Sequence, residues 1–398
     1  MPIDIRRATQ DDFTAIAEID MASFGEEIVP EQLADSLPML DPDRFLVATD
    51  AGRIVGVTGD YPFTMTVPGG QLDVPGVTWV SVDVTYRRRG VLRGLMQRQL
   101  ADYRDAGYAA AILTASEGGI YGRFGYGAAS QVRRTSIDRR LVRLLEPGDP
   151  AAVERLNGGE ARKRLPEIHE RWCAQTPGAL HRNDGWWDLL TADREWQRDG
   201  MSPQFHLVHA DGYVSYRIKA NWNDGDPRHL AWITDYVIGT PRAHRDLWQV
   251  LLGLDLVGSI ESYRIPIDDP LPYLLDNGRQ VRTTNVGDGV WVRPLDAAAM
   301  LSARTYAVDV SAVLEITDGD DRSRLCLEGG PGGATCEPTS RAPDVSLDVA
   351  ALGSLYLGGN RVAPLVAAGR VSGGDAALLT RLDRALLADV APRHGTGF

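Results

Sequence analysis

A run of basic residues stands where a β-rich stretch passes into a helix-like stretch. Arg87-Arg88-Arg89-Gly90 follows the apolar run Val77–Val84, and Arg93 lies one turn further on. A helix entered directly from a strand presents unpaired backbone N–H groups and a partial positive charge, which together hold phosphate. Gly90 lets the backbone approach a diphosphate where a side chain would collide. A solvated basic patch is the alternative interpretation, but the position between strand and helix favours phosphate binding.

Alternating strand and helix patterns surround this junction and predict the sheet that positions it. The stretch Val91–Tyr103 has apolar residues on one helical face, and Asp50-Ala51-Gly52 is typical of a hairpin turn. The elements predicted before the junction are the edge strand Ile3–Arg7, a helix with Phe13, Ile16 and Ala17 on its apolar stripe, the hairpin strands Phe45–Ala48 and Ile54–Val57, and the strand Pro62–Val67.

The order hairpin, long strand and helix recurs in the middle of the chain. Phe205–His209 and Tyr213–Ile218 flank Ala210-Asp211-Gly212, Leu230–Ile238 is a long β-rich run, and Thr240-Pro241 opens a helical pattern. Because the same order appears twice at roughly domain size, we predict two copies of one fold.

The last hundred residues have a different pattern. Tyr306–Ile316 is strand-like, whereas Val345–Leu357 and Asp375–Leu387 are helix-like, with glycine-rich turns between them. This predicts a separate α+β domain. We place the three domains at residues 1–140, 141–293 and 294–398.

Composition narrows the class of protein. The 398 residues suit two or three domains, and 43% apolar with 24% charged residues is typical of a globular protein. The net charge of −12 argues against nucleic acid as the main partner and suits a cationic substrate. No apolar run is long enough to span a bilayer, and the first residues have no signal-peptide pattern, so we expect no membrane partner.

The three cysteines give no sign of a metal site. Cys173, Cys326 and Cys336 lack the spacing of metal ligands, so we expect no metal. Cys326 and Cys336 could pair, but a reduced, cytoplasmic protein is the expectation.

The stretch Val82–Leu92 resembles the acetyl-CoA pyrophosphate motif of the GNAT superfamily of N-acetyltransferases: Arg or Gln, two residues, Gly, one residue, then Gly or Ala. Leu92 departs from the small residue at the end of that motif. This departure, the run Arg-Arg-Arg-Gly-Val-Leu-Arg and the segment Ala115–Gly127 resemble the Eis (enhanced intracellular survival) branch. The resemblance covers essentially the whole chain. It implies an α/β (α+β) fold class, with two tandem GNAT-like domains and then a sterol-carrier-protein-like domain.

The resemblance also implies direct transfer of an acetyl group from acetyl-CoA to an amine. Backbone donors at the end of a parted strand would polarise the thioester carbonyl. Ser116 and Glu117 match the family's contacts to the pantetheine arm, although both could instead cap a helix. The cofactor site implied is Val80, Ser81, Val82, Arg87, Arg88, Arg89, Gly90, Val91, Leu92, Arg93, Ser116 and Glu117.

Tyr121 is the candidate general acid. In Tyr121-Gly122-Arg123-Phe124-Gly125-Tyr126 it matches the family's pattern of Tyr, three residues, Gly and an aromatic residue, in which the Tyr lies beside the sulfur. A phenol of pKa about 10 can supply a thiolate of pKa about 8.5 when the proton moves as the bond breaks. Tyr126 is the rival, and simple packing is the alternative role.

The base is assigned by resemblance to the end of the chain. No His occurs before His169, and in the Eis branch the C-terminal carboxylate takes the proton of the amine; here it belongs to Phe398. A frayed tail is the alternative interpretation. The family's tail often carries an acidic residue near its end, and this tail has none.

The second copy departs from the phosphate-binding pattern. Aligning Thr85 with Thr240 places Arg245 at the position of Gly90, and Pro241 removes a backbone donor near the helix start. We therefore expect the second GNAT-like domain to be degenerate and to serve as a wall of the substrate cleft.

Other polar and aromatic groups have less specific patterns. Glu26, Glu27, Glu31 and Asp35 could hold a polycationic amine or could simply be solvated. The pair Trp186-Trp187 could floor a pocket, but core packing is the expectation.

Three functions remain open from the sequence. The favoured one is acetylation of amines on polycationic, aminoglycoside-like small molecules, and also of lysine side chains. The alternatives are a dedicated protein or peptide lysine acetyltransferase and a non-catalytic acyl-CoA or lipid carrier. The family resemblance implies a homohexamer.

Overall fold

The computed structural model describes residues 3–398, and these form two compact units. One unit combines the chain up to Ser130 with Asp288–Phe398, and the other comprises Gln131–Gly287. The first unit therefore contains both the basic junction and the end of the chain. In the part of the chain that the structure describes, no helix is long and apolar enough to cross a membrane.

The first unit is built on a seven-stranded sheet in the order β1-β2-β3-β4-β5-β16-β6. Its strands are β1 Asp4–Arg7, β2 Leu46–Asp50, β3 Arg53–Val67, β4 Gly70–Val82, β5 Ala110–Thr114, β6 Gly127–Ala128 and, from the later part of the chain, β16 Val290–Pro294. Its helices are α1 Phe13–Phe24, α2 Pro30–Ser36 and α3 Val91–Asp105.

Strand β4 carries the site, and its pairing explains how a cleft opens beside it. It pairs antiparallel with β3 along its length, but parallel with β5 only at Gly76 and Val77. Trp79 has φ of +53°, and the β3–β4 register shifts nearby. Beyond Val77 the two parallel strands part, which leaves one edge of β4 without a strand partner.

The predicted elements of this region are largely confirmed, with two differences. The segments Ile54–Val57 and Pro62–Val67 belong to one strand, β3, because the pairing with β4 continues across Pro62. The predicted strand Val77–Val84 ends at Val82, since Asp83 accepts a hydrogen bond from the Thr85 N–H and starts a 3-10 turn.

The second unit repeats the arrangement with a sheet in the order β15-β7-β14-β13-β10-β9-β8 and a separate two-stranded hairpin, β11-β12. Its strands are β7 Gln131–Asp138, β8 Glu154–Leu156, β9 Phe205–His209, β10 Gly212–Lys219, β11 Trp222–Asn223, β12 Asp226–Pro227, β13 His229–Ile238, β14 Val257–Ser262 and β15 Arg282–Asp288. Its helices are α4 Gly158–Cys173, α5 Asp184–Thr191, α6 Pro241–Leu252 and α7 Leu271–Leu274.

Two strands belong to a different sheet from the one that the predicted domain limits imply. Residues 131–138, predicted in the first domain, form β7 of the second sheet, and residues 290–294, predicted in the second, form β16 of the first sheet. Strand β16 lies between β5 and β6 and pairs with both. The domain limits at 140 and 293 stay a prediction.

The C-terminal region adds a five-stranded sheet in the order β19-β18-β17-β20-β21. Its remaining strands are β17 Val310–Asp318, β18 Asp321–Gly330, β19 Gly333–Pro338, β20 Val345–Asp348 and β21 Val371–Gly373. Its helices are α8 Ala297–Ser302, α9 Val349–Tyr356, α10 Val362–Ala367 and α11 Ala376–Leu386.

The prediction of a helix across Val345–Leu357 was partly wrong. Val345–Asp348 alternates buried and half-buried residues and pairs parallel with β17, and the helix begins only after Asp348, whose carboxylate accepts from the Ala351 N–H. A single residue, Asp348, thus ends the strand and caps the helix.

The cysteines of this region are free thiols. Cys326 lies opposite Glu337, and the buried Cys336 lies opposite Leu327 on the neighbouring strand. Because neighbouring positions in a strand point to opposite faces, Cys326 and Cys336 face away from each other.

Candidate active site

A cleft of about 900 Å³ opens at the junction of β4 and α3. Its walls come from the end of α1, the parted end of β4, the start of α3 and the segment after β5. Eleven of the twelve residues assigned to the cofactor by resemblance line it, as does Tyr121: Val80, Ser81, Val82, Arg87, Arg88, Gly90, Val91, Leu92, Arg93, Ser116 and Glu117.

The start of α3 is shaped to leave its first amides available. Gly90, the N-cap, has φ of +83° and offers no side chain to cap the helix. Arg88 also adopts a left-handed conformation, with φ of +62°. Asp83 anchors the preceding turn by accepting from the backbone and hydroxyl of Thr85. The unsatisfied N–H groups of the first helical turn therefore lie at the cleft wall, as an anionic ligand requires.

The arginines at this helix start differ in their surroundings. Within residues 3–398, no ion pair involves Arg87, Arg88 or Arg93, so their charge remains available to a ligand. Arg89 does not line the cleft; its guanidinium lies over the ring of Tyr86, 4.7 Å from the centroid. The basic run is thus divided into three residues that line the cleft and one, Arg89, that does not line it but stacks on the cleft-lining Tyr86.

A smaller pocket of about 290 Å³ adjoins the cleft. Phe24, Val80, Ser116 and Tyr121 line both, so the two spaces meet at these four residues. The other residues around the smaller pocket are Val77, Thr78, Trp79, Thr114, Ala115 and Phe398. A two-part site of this kind can bring two substrates together at the shared wall.

Tyr121 lies at that shared wall, in a short 3-10 turn, and is only 6% exposed. Burial, with a smaller contribution from Glu117, raises the pKa of Tyr121 to about 12. The phenol therefore stays protonated at neutral pH and can act as a proton donor. Tyr126 is packed edge to face against Tyr121 at 6.1 Å and is fully buried, without lining either space.

The end of the chain lies in the smaller pocket. The hydroxyl of Thr114 donates to a terminal oxygen of Phe398 at 3.3 Å, and the Phe398 ring packs on Phe63 with centroids 5.0 Å apart. His394 and Thr396 just before it are buried. The interpretation of the last residues as a frayed tail is therefore wrong, because they pack into the fold beside Tyr121.

Comparison with known proteins gives the family. The chain is 38% identical over 403 residues to N-acetyltransferase Eis of Mycobacterium tuberculosis, with 98% of each chain covered. The chain belongs to the Eis family of N-acetyltransferases. An uncharacterized N-acetyltransferase of Streptomyces avermitilis is 36% identical over 363 residues, covering 87% of this chain and 86% of that one.

Solved structures and family models agree with membership of the Eis family. Eis1 from Mycobacterium abscessus superposes with a TM-score of 0.88 at 32% identity, covering 99% of this chain and 100% of that one. Acetyltransferase (GNAT) domain models match residues 4–129 and 178–294, and a sterol carrier protein domain model matches residues 297–393. The predicted order of two GNAT domains and a sterol-carrier-protein-like domain is confirmed.

The two GNAT domains of this Eis-family chain start their equivalent helices differently. In the second, Thr240 caps α6 by accepting from the Ala243 N–H at 3.2 Å, and Pro241 occupies the first helical position. Arg245 pairs with Glu146. The first-turn N–H groups of α3 are therefore left without a side-chain cap in the first domain, whereas the Thr240 hydroxyl accepts from one of the corresponding N–H groups of α6 in the second.

The acidic residues after the first helix and the two adjacent tryptophans have the following positions in the structure. Glu26, Glu27, Glu31 and Asp35 line neither the cleft nor the smaller pocket. Trp187 packs in the core of the second unit and Trp186 is buried too, so the expectation of core packing is confirmed. In residues 3–398 no cluster of three or more His, Cys, Asp or Glu is placed to hold a metal.

The pocket residues that the sequence did not predict include Phe24, Trp79 and Thr114. Phe24 continues the apolar stripe of α1 and could have been found from that spacing. Trp79 lies inside the run already predicted as a strand, and its left-handed φ carries no sequence signal. Thr114 could not have been found, because its partner is 284 residues away.

Proposed function

We propose that this protein transfers an acetyl group from acetyl-CoA to a primary amine, with one active site in the first unit of each chain. The observation that supports this most is the meeting of the two spaces at Tyr121 and Val80. The larger cleft suits a nucleotide-bearing cofactor, and the smaller pocket, which contains Phe398, suits the acceptor amine.

The cofactor assignment follows from charge and backbone geometry. The free N–H groups at Val91, Leu92 and Arg93, with the cleft-lining arginines, would hold the diphosphate of coenzyme A. The parted edge of β4 would hold the pantetheine arm and direct backbone N–H groups at the thioester carbonyl. The second GNAT domain would bind no cofactor, because Thr240 and Pro241 already satisfy its helix start.

We assign the acid and the base to two groups that line the same pocket, Tyr121 and Phe398. Tyr121 would protonate the thiolate of coenzyme A as it leaves. The α-carboxylate of Phe398 would take a proton from the attacking ammonium, whose own pKa is about 10. Both groups line the same pocket, which supports a direct transfer without a covalent enzyme intermediate.

We further propose which amines the protein acetylates, where it is located and how it assembles. Polycationic small molecules such as aminoglycosides fit the negative net charge of the chain, and lysine side chains of peptides or proteins are the second candidate class. We also propose a cytoplasmic location, in keeping with free thiols, and a homohexameric assembly on family resemblance. Size-exclusion chromatography with light scattering tests the assembly.

Mass spectrometry of acetyl transfer tests the function directly. The protein is incubated with acetyl-CoA and, in separate reactions, kanamycin, spermidine and a lysine-containing peptide. We expect a gain of one acetyl mass or more on at least one amine, with release of free coenzyme A. Acetylation of the peptide alone would favour a lysine acetyltransferase. Absence of transfer to all three, together with tight acetyl-CoA binding, would favour a carrier and contradict the proposal.

A further inference from the structure

Helix α1 carries a carboxylate on its apolar face. Phe13, Ile16 and Ala17 are buried there, and the next position at helical spacing is Asp20. Burial raises the pKa of Asp20, and the raised direction persists although the hydrogen bond from Ser81 lowers it; the nearby charge of Glu26 adds a smaller upward contribution. An ionised carboxylate on a buried helix face destabilises the fold unless it is hydrogen-bonded or paired with a charge. The residues around Asp20 therefore show what keeps it there.

The partner of Asp20 lies in the wall of the cofactor cleft. Ser81 Oγ donates to Asp20 Oδ1 at 2.6 Å, and Ser81 itself is 3% exposed. Ser81 lines the larger cleft beside Val80, where the cleft meets the acceptor pocket. A short bond from a hydroxyl to a carboxylate in a buried site is among the stronger hydrogen bonds in proteins.

The Ser81 side chain faces helix α1. Val80 and Val82 pack into the apolar clusters that contain residues of α3. Since successive side chains of a strand alternate between faces, Ser81 points to the opposite face, toward α1. Phe24, four residues after Asp20 on the same helix, lines both the cleft and the acceptor pocket.

One more hydroxyl at this wall is unsatisfied. Ser23 also lines the larger cleft, and its Oγ is buried without a hydrogen-bond partner among residues 3–398. A buried polar atom with no partner is uncommon in folded proteins and is a contact that a ligand can complete. Ser23 and the pair formed by Asp20 and Ser81 therefore place polar groups on the α1 side of the cleft.

The chemistry of the proposed reaction calls for a second proton acceptor. An ammonium nitrogen must lose two protons to become the N–H of an amide: one before it attacks the thioester carbon, and one after the N–C bond forms. The carboxylate of Phe398 is assigned to the first. When the C–S bond breaks, the sulfur keeps the electron pair and takes the proton of Tyr121, and the second nitrogen proton still needs an acceptor.

We propose that Ser81 passes this second proton to Asp20, which acts as a positioning residue and proton acceptor through the Ser81 hydroxyl. The nitrogen gives its proton to Ser81 Oγ while the Ser81 hydroxyl proton moves to the Asp20 carboxylate. Of the two protons now held by Phe398 and Asp20, one returns to Tyr121 and one is released to water, so the overall reaction liberates one proton. This role rests on the proposed function of the same site.

The test uses an isosteric change that keeps the hydrogen bond. Asp20→Asn retains an oxygen that accepts from Ser81 but cannot take a proton, and Ser81→Ala removes the relay while leaving the carboxylate. We expect kcat at saturating acetyl-CoA to fall about 10²-fold in each variant. In Asp20→Asn, at a residue that does not line the cleft, acetyl-CoA affinity, the KM of the amine and the melting temperature should be unchanged. The double variant should be no slower than either single variant, because the two residues act as one relay.

The matched control is Glu18→Gln, which removes a charge from an exposed position of the same helix and should keep the wild-type kcat. The amine is whichever of kanamycin, spermidine and the lysine peptide the wild type acetylates. A wild-type kcat in Asp20→Asn would overturn the relay, and so would losses explained by weaker acetyl-CoA binding or a lower melting temperature. If Asp20→Asn failed to fold, Ser81→Ala would decide. An inactive wild type would instead contradict the proposed function.

Discussion

The hydroxyl of Thr114, at the end of strand β5, donates a hydrogen bond of 3.3 Å to a terminal oxygen of Phe398, the last residue of the chain. The Phe398 ring reaches this position across Gly76, where a Cβ atom would come within 2.9 Å of that ring and 2.7 Å of the Phe63 ring. Glycine at position 76 is therefore what allows the end of the chain to lie beside Tyr121.

Changes at the C-terminus should remove turnover without removing cofactor binding. A short C-terminal tag converts the carboxylate to an amide, and deletion of Phe398 leaves a carboxylate one residue short and without its aromatic ring. We expect kcat to fall about 10²-fold in both, with acetyl-CoA affinity unchanged by calorimetry. Phe398→Ala should lose less than the deletion, because the carboxylate keeps its chain position. Full activity of the tagged protein would remove Phe398 from the mechanism.

Loss of the Tyr121 hydroxyl should slow the reaction more than loss of the Tyr126 hydroxyl. Tyr121→Phe keeps the packing but removes the proton, so kcat should fall about 10²-fold; Tyr126→Phe, at a residue that lines neither space, should have little effect. Because burial raises the pKa of Tyr121 to about 12, the wild-type acid stays protonated as pH rises through 10. Its contribution to kcat should decline only toward pH 12. Steady-state pH profiles measure both, and a larger loss in Tyr126→Phe would show that the roles are reversed.

A charge change at the helix start should discriminate between the two GNAT domains. Gly90→Glu places bulk and negative charge beside the diphosphate and imposes a left-handed φ on a non-glycine residue, at a cost of about 1–2 kcal/mol. We expect acetyl-CoA affinity to fall more than 10-fold by calorimetry. Arg245→Glu in the second unit should leave the affinity unchanged. Equal losses in the two variants would contradict one cofactor site per chain.

The arginines at the start of α3 should differ in how much each contributes to acetyl-CoA affinity. Arg88→Ala and Arg93→Ala remove cleft-lining charges without an ion-pair partner in the described chain, so each should weaken acetyl-CoA binding several-fold, with the loss shrinking as salt rises. Arg89→Ala removes a side chain that stacks on Tyr86 and does not itself line the cleft, so it should change the affinity little. A larger loss for Arg89→Ala than for Arg88→Ala would reverse this assignment.

Local sequence patterns were sufficient to predict the elements on either side of the basic run. The apolar run before Tyr86 and the helical periodicity after Gly90 predicted a strand and a helix, because each pattern depends on neighbouring residues only. Leu92 departs from the small residue of the GNAT motif, yet it lines the cleft as expected. Where the prediction was wrong, at Val345–Asp348, a strand pairs with β17 more than thirty residues earlier, and that pairing overrides the local helical pattern.

Residue types and short spacings were enough to establish the family, the order of the domains and which side chains could hold a diphosphate or donate a proton. The folded chain was needed to show that Arg89 stacks on Tyr86 and does not line the cleft, that β7 and β16 pair outside their predicted domains, and that Asp20 meets Ser81. It was also needed to show that the last residue packs against Thr114. These relationships join residues tens to hundreds of positions apart, and their free energy comes from burial and hydrogen bonds that exist only once the sheets have formed.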